Sequence, residues 1–225
     1  MLDSTLRRLI DPPLNRAGRV LAARGITADH VTLSGLGFGL LAALVLALGF
    51  PAPLALLPIA ASRLADGLDG AIARATSKTD FGGYLDIACD FAFYGAIPLA
   101  FVIRDPAANA IPGAFLLFSF YVNAASFLGF ATLAAKRGLE TTAQGEKSLY
   151  YAAGLLEGSE TIAFFAALCL WPGLFAPLST TFGALCLVTA TARILAARKS
   201  LPILCFRQRC RPARKTPRCW GSRPS

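Results

Sequence analysis

The chain has 225 residues, 55% of them hydrophobic, a mean hydropathy of +0.56, and 22 basic against 13 acidic residues for a formal net charge of +9. That composition is too apolar for an ordinary soluble domain, and one membrane domain is the economical reading of its length. A basic balance can mark nucleic-acid binding, but here the charges lie between apolar runs with no basic soluble domain to carry them, which argues against that class.

Residues 1–25 mix Leu, Ile and Val with Arg7, Arg8, Arg16, Arg19 and Arg24, and predict an interfacial amphipathic helix broken at Pro12-Pro13. Their charged region is too long for a signal peptide, and several further apolar runs follow, so the first run is expected to stay as an anchor. Six apolar stretches come next, near 31–50, 53–75, 82–103, 112–135, 148–171 and 174–197. Each holds roughly 20 residues, enough to cross about 30 Å of hydrocarbon. Pro51, Pro106, Pro112, Pro172 and Pro177 fall at or near their ends. The expected fold class is therefore an all-α integral membrane protein with six transmembrane helices.

Basic residues collect on one side of these stretches: the N-terminal arginines, Arg74 with Lys78, Lys136 with Arg137 and Lys147, and the C-terminal tail. The other side carries Arg104 beside Asp105. That asymmetry predicts cytoplasmic termini, with Lys78 and Lys136 inside and Asn109 on the opposite face. Residues 199–225 are rich in Arg, Pro and Ser and lack apolar periodicity, so they are expected to form a disordered, surface-associated tail. Cys89, Cys169 and Cys186 read as small hydrophobes within spans. The tail's Cys205, Cys210 and Cys219 show no paired metal-binding spacing.

The chemistry concentrates in Asp66, Asp69, Asp80, Asp86 and Asp90. On helices, Asp66 and Asp69 are i, i+3 and Asp86 and Asp90 are i, i+4, so each pair shares a face. Carboxylates inside apolar segments are expensive and mark functional sites. Counting roughly 1.5 Å per residue from the ends of two antiparallel helices puts Asp69 level with Asp86, and Asp66 level with Asp90. Four such carboxylates repel one another unless cations lie between them. An all-oxygen set suits Mg²⁺ or Mn²⁺, and four carboxylates exceed the needs of one ion, so two are expected. The competing reading is a set of ion pairs with Arg63 and Arg74, which would leave most of the negative charge uncompensated. Helical spacing is read as turning Cys89 away from the Asp86/Asp90 face. Asp80 reads as a loop or helix-cap residue. Gly67, Gly70, Ala71, Ala73 and Gly82 would permit close helix packing or a close approach of phosphate groups, with Arg74 supplying a cation.

The pattern Asp66-x₂-Asp69-Gly70-x₂-Ala73-Arg74-x₇-Gly82-x₃-Asp86-x₃-Asp90 resembles the full signature of the CDP-alcohol phosphatidyltransferases. The resemblance extends over the six-span layout and is closest to bacterial phosphatidylglycerophosphate synthase-like members. It implies that Asp66, Asp69, Asp86 and Asp90 hold the metals and that Asp90 is also the general base. It implies CDP-alcohol contacts for Gly70, Ala73, Arg74, Gly82 and Thr32, a CDP-diacylglycerol donor, a homodimer and a bacterial inner-membrane location with a cytoplasmic active site. One departure is Ala28-Asp29, where the family commonly has Pro-Asn before the first span; Thr32 is kept.

The acceptor side is less specific. Glu157 and Glu160 form an i, i+3 pair in the fifth stretch, and Lys136, Arg137 and Lys147 flank it. The acids could bind acceptor hydroxyls or lock helices together; the basic residues could take an acceptor phosphate or serve topology alone. His30, the single histidine, reads as interfacial. Glycerol 3-phosphate is the first expected acceptor, with serine, inositol or an inositol phosphate as alternatives. An aspartate-rich prenyltransferase and an ion transporter are the competing classes; neither requires Gly70, Arg74 and Gly82 at their spacing.

Overall fold

Seven α-helices and two short 3₁₀ turns make up the ordered elements of the computed structural model, which describes residues 2–136 and 158–200. The helices are α1 (Leu2–Ala23), α2 (Ala28–Ala47), α3 (Leu56–Ala75), α4 (Asp80–Arg104), α5 (Pro106–Lys136), α6 (Gly158–Leu170) and α7 (Phe175–Ser200). The expected all-α class holds, with no strand among the described residues. Among the described residues, four segments are long and apolar enough to cross a membrane: α2, α4, α5 over Pro106–Leu133, and Pro172–Arg198. In α3, Arg63, Asp66, Asp69 and Arg74 lower the hydropathy of a helix that is otherwise long enough.

Local chemistry sets several boundaries. α2 starts at Ala28, ahead of the expected span, because the Thr27 side chain accepts from the His30 backbone N–H. Such a cap contributes about 1 kcal/mol. His30 is exposed and its ring Nδ1 lies 3.0 Å from the same Thr27 oxygen. α4 starts at Asp80 because Thr79 Oγ1 accepts from the Gly82 N–H at 3.0 Å. Asp80 is therefore not in a loop: it sits exposed in the first turn of α4, where a negative charge complements the helix dipole. At the other end of α2, Gly49 adopts φ +80°, a conformation that favours glycine and lets the chain leave the helix. Arg104 then donates to the carbonyls of Leu46 and Phe50 there, at 3.3 and 2.6 Å.

Two expectations about proline fail. α1 runs unbroken through Pro12-Pro13. Tertiary docking outweighs the lost backbone bonds, since α1 lies along α3 with Leu14 over Gly67 and buried Gly18 against Ala71. Likewise Pro112 does not open a helix; α5 begins at Pro106 and continues through it. A Pro is tolerated inside apolar helices where neighbouring groups satisfy the freed carbonyl.

α2 packs along both α3 and α4, whose own backbones make no extended contact with each other. Gly35 and Gly39 make this possible: a Cβ at Gly35 would press on Ala65, and one at Gly39 on the ring of Phe93. α5 pairs with α7 and touches α4. Phe93, Ile97, Phe101, Leu116, Phe165, Leu168 and Phe175 are fully or almost fully buried between these helices. Phe164 and Phe182 stack with ring centroids 4.1 Å apart.

Candidate active site

The gap that α2 holds open between α3 and α4 is lined by the carboxylates. Asp66 and Asp69 enter it from α3, Asp86 and Asp90 from α4, and Thr32 and Gly35 from α2. One oxygen from each of Asp66, Asp69 and Asp86 lies within 4.8 Å of the others. Asp69 is buried, and Asp66 and Asp86 are half-buried. Three hard oxygen donors at that spacing fit a divalent cation such as Mg²⁺ or Mn²⁺.

Asp90 shares the cavity but is engaged differently. Arg63 Nη1 donates to Asp90 Oδ1 at 3.0 Å and lies 3.7 Å from Asp66 Oδ2. The ion pairs weighed from the sequence thus form in part: Arg63 pairs with Asp66 and Asp90 and not with Asp69 or Asp86. Among the described residues Arg74 pairs with no carboxylate; its Nε and Nη2 donate to Asn15 Oδ1 of α1 at 3.3 and 3.0 Å.

Thr32 joins this carboxylate group. Its hydroxyl donates to Asp69 Oδ2, with the Ala28 carbonyl as a second acceptor in range. Cys89 overturns the sequence reading: it is buried and lines the same cavity as Asp86 and Asp90. The reason is helical, since Cys89 lies three residues from Asp86 and so near the same face.

The other signature residues lie outside the cavity lining. Arg74 is exposed in the last turn of α3, and a Cβ on Gly70 would come within 3.3 Å of its Nη1. A Cβ on Gly82 would come 2.9 Å from Thr79 Oγ1 and 3.2 Å from Asp29 Oδ1, so close approach accounts for a glycine there. Ala73 is half-buried on α3.

For the acceptor side, Lys136 is exposed at the end of α5 and does not line the cavity. Glu160 is half-buried in the first turn of α6 and accepts from Ser159 Oγ at 3.0 Å. Arg137, Lys147 and Glu157 lie outside the described residues, as does the tail beyond residue 200.

Sequence reasoning missed three participants: Asn15, the two-sided grip of Arg63, and Gly35 on the wall of α2. The four-residue spacing of Gly35 and Gly39 was the available signal for the last. Nothing in the sequence singles out Asn15.

The family model for CDP-alcohol phosphatidyltransferase matches residues 26–195. The inner membrane protein YnjF of Escherichia coli (strain K12) is 47% identical over 194 residues, covering 86% of this chain and 94% of that protein. Archaetidylinositol phosphate synthase of Pyrococcus horikoshii is 41% identical over 88 residues, 39% of this chain and 46% of that protein.

Proposed function

The chain belongs to the CDP-alcohol phosphatidyltransferase family, whose members transfer substituted phosphate groups, and from that premise we propose that it moves a phosphatidyl group from CDP-diacylglycerol to glycerol 3-phosphate, releasing CMP. The observation that carries this reading is the convergence of Asp66, Asp69 and Asp86 within 4.8 Å, with Asp90 in the same cavity. In this reading Asp66, Asp69 and Asp86 hold Mg²⁺ or Mn²⁺, and Asp90 completes the shell of a second ion. Bound there, the cations would offset the charge of the donor diphosphate and of departing CMP.

The chain's own residues then do the remaining work. Arg74, beside Gly70, Ala73 and Gly82, lies at the end of α3 where it can bind the phosphates of the donor. Asp90 takes the proton of the acceptor hydroxyl as that oxygen attacks the β-phosphorus. The bond between that phosphorus and the bridging oxygen breaks, and the electron pair leaves on CMP. Holding the two reactants in line provides much of the rate enhancement.

The same reading takes residues 26–198 as a domain of six membrane-spanning helices, with α3 and α6 completing the four apolar segments. Residues 1–25 rest at the interface and the basic tail lies on the cytoplasmic side. The protein would be a homodimer in a bacterial inner membrane with its active site facing the cytoplasm. Positive residues near Lys78 and Lys136 support that orientation.

A second reading replaces glycerol 3-phosphate with an inositol phosphate. It is favoured by the archaeal relative, whose name gives an archaetidylinositol phosphate product. Purified protein in lipid, supplied with CDP-diacylglycerol and one acceptor at a time, separates the two by the lipid product. CMP release should require Mg²⁺ or Mn²⁺ and stop reversibly on chelation. Full turnover in excess chelator would sink the metal reading, and no CMP with any phosphorylated alcohol would sink the substrate assignment.

A further inference from the structure

Arg63 occupies a defined level in the helix register. Along α3, Arg63, Asp66 and Asp69 follow at three-residue steps, so they line one side of the gap. Along α4, running the other way, come Phe93 and Tyr94, then Asp90, then Asp86. Arg63 Cζ sits 4.4 Å from the ring centroid of Phe93 and 5.9 Å from that of Tyr94. The guanidinium thus closes the end of the cavity farthest from the α3–α4 connection, between two aromatic rings and two carboxylates.

Its hydrogen bonds are uneven. Nη1 serves Asp90 and lies near Asp66, Nη2 donates to Ser62 Oγ at 3.3 Å, and the buried Nε has no partner. An arginine held this way by stacking, with its charge directed at two acids, does what a bound cation would do for that pair. Arg63 makes no ion pair with the third and fourth carboxylates, and Asp69 is held instead by Thr32.

We propose that Arg63 is a built-in counter-ion for the Asp66–Asp90 half of the carboxylate group, and that a divalent cation shared by those two acids must displace it. The inference rests on the metal reading given above and adds an order to it. The first ion binds where Asp66, Asp69 and Asp86 already converge without an arginine on two of the three. A second ion, needing Asp90, competes with the guanidinium and binds more weakly. Arg63 is thereby a positioning residue: it keeps Asp90 turned into the cavity and prevents the acids from driving α3 and α4 apart when no metal is present.

The test uses full-length protein in detergent with Mn²⁺ alone as probe, in the wild type, Arg63→Gln and Arg63→Lys. Bound Mn²⁺ is counted by equilibrium dialysis, and thermal unfolding is followed in chelator and in saturating Mg²⁺. Arg63→Gln should bind the weaker Mn²⁺ about ten-fold more tightly, the order expected when one competing hydrogen bond to a charged group is removed. It should also unfold earlier than wild type in chelator, with the gap closing in saturating Mg²⁺. Arg63→Lys keeps the charge but loses the fork, and should fall between the two; it carries the test if the Gln variant does not fold. Superimposable Mn²⁺ isotherms with equal losses of stability in both conditions would overturn the role of Arg63 and leave the metal reading intact. A wild type that binds no Mn²⁺ would overturn both.

Discussion

Thr32 Oγ1 donates to Asp69 Oδ2 at 2.5 Å, tying α2 to the most deeply buried carboxylate of the site. The bond fixes one oxygen of Asp69 and so aims the other. Thr32→Val keeps the shape and removes the donor. CMP release measured against Mg²⁺ concentration should show roughly a 10- to 100-fold loss in apparent metal affinity or turnover, the usual effect of removing a partner of a metal ligand. Thr32→Ser should restore most of it. A Val variant indistinguishable from wild type would reduce Thr32 to a packing residue.

The acids should separate by role. Asp90→Asn keeps size but cannot take the acceptor's proton, so turnover should collapse while binding of CDP-diacylglycerol survives. Asp66→Asn and Asp69→Asn should weaken both, because their oxygens are proposed to hold the diphosphate through the metal. Asp80→Asn should change little, since Asp80 is exposed in the first turn of α4 and outside the cavity. Donor affinity and CMP release on the four variants check this, and equal loss of donor binding at Asp90 and Asp66 would remove the case for a dedicated base.

Asn15 holds Arg74 from the N-terminal helix through two hydrogen bonds. Asn15→Ala frees the guanidinium and should raise KM for the CDP-lipid several-fold with little change in kcat, as expected when ground-state and transition-state binding fall together. Asn15→Asp keeps an acceptor but pairs Arg74 with a negative charge, and should raise KM further. The opposite order of the two variants would show that Arg74 does not act on the donor through its charge.

Topology can be read by labelling single cysteines in sealed vesicles. Cysteines at Lys78 and Lys136, both exposed, should react only from the cytoplasmic side. Asn109, expected on the other face, is unsuitable as a probe: it is buried and its Nδ2 donates to the Phe101 carbonyl at 2.8 Å. Ala107 is exposed nearby and should label from outside. External labelling at Lys78 would reverse the orientation and move the site of CMP release with it.

The helical class, the pairing of acids on shared faces and the expectation that they meet at similar levels could all be read along the chain. These follow from local geometry: a three- or four-residue step returns to one face of a helix, and a short connection between antiparallel helices fixes relative height. The signature could therefore be read without knowing what lay opposite it. What lay opposite was decided only by the tertiary structure. Two neighbouring helices were expected to form the carboxylate box, with Thr32 assigned to the CDP-alcohol by resemblance; α2 stands against both, puts Thr32 on Asp69 and adds Gly35 to the cavity wall. Arg63 could be matched to Asp66 by spacing, but its grip on Asp90 and Phe93 depends on how far α2 holds α3 from α4. Asn15 meets Arg74 across 59 positions of sequence. Periodicity carries information along one helix, whereas these contacts depend on side-chain volumes where separate helices meet, such as Gly35 on Ala65 and Gly18 on Ala71.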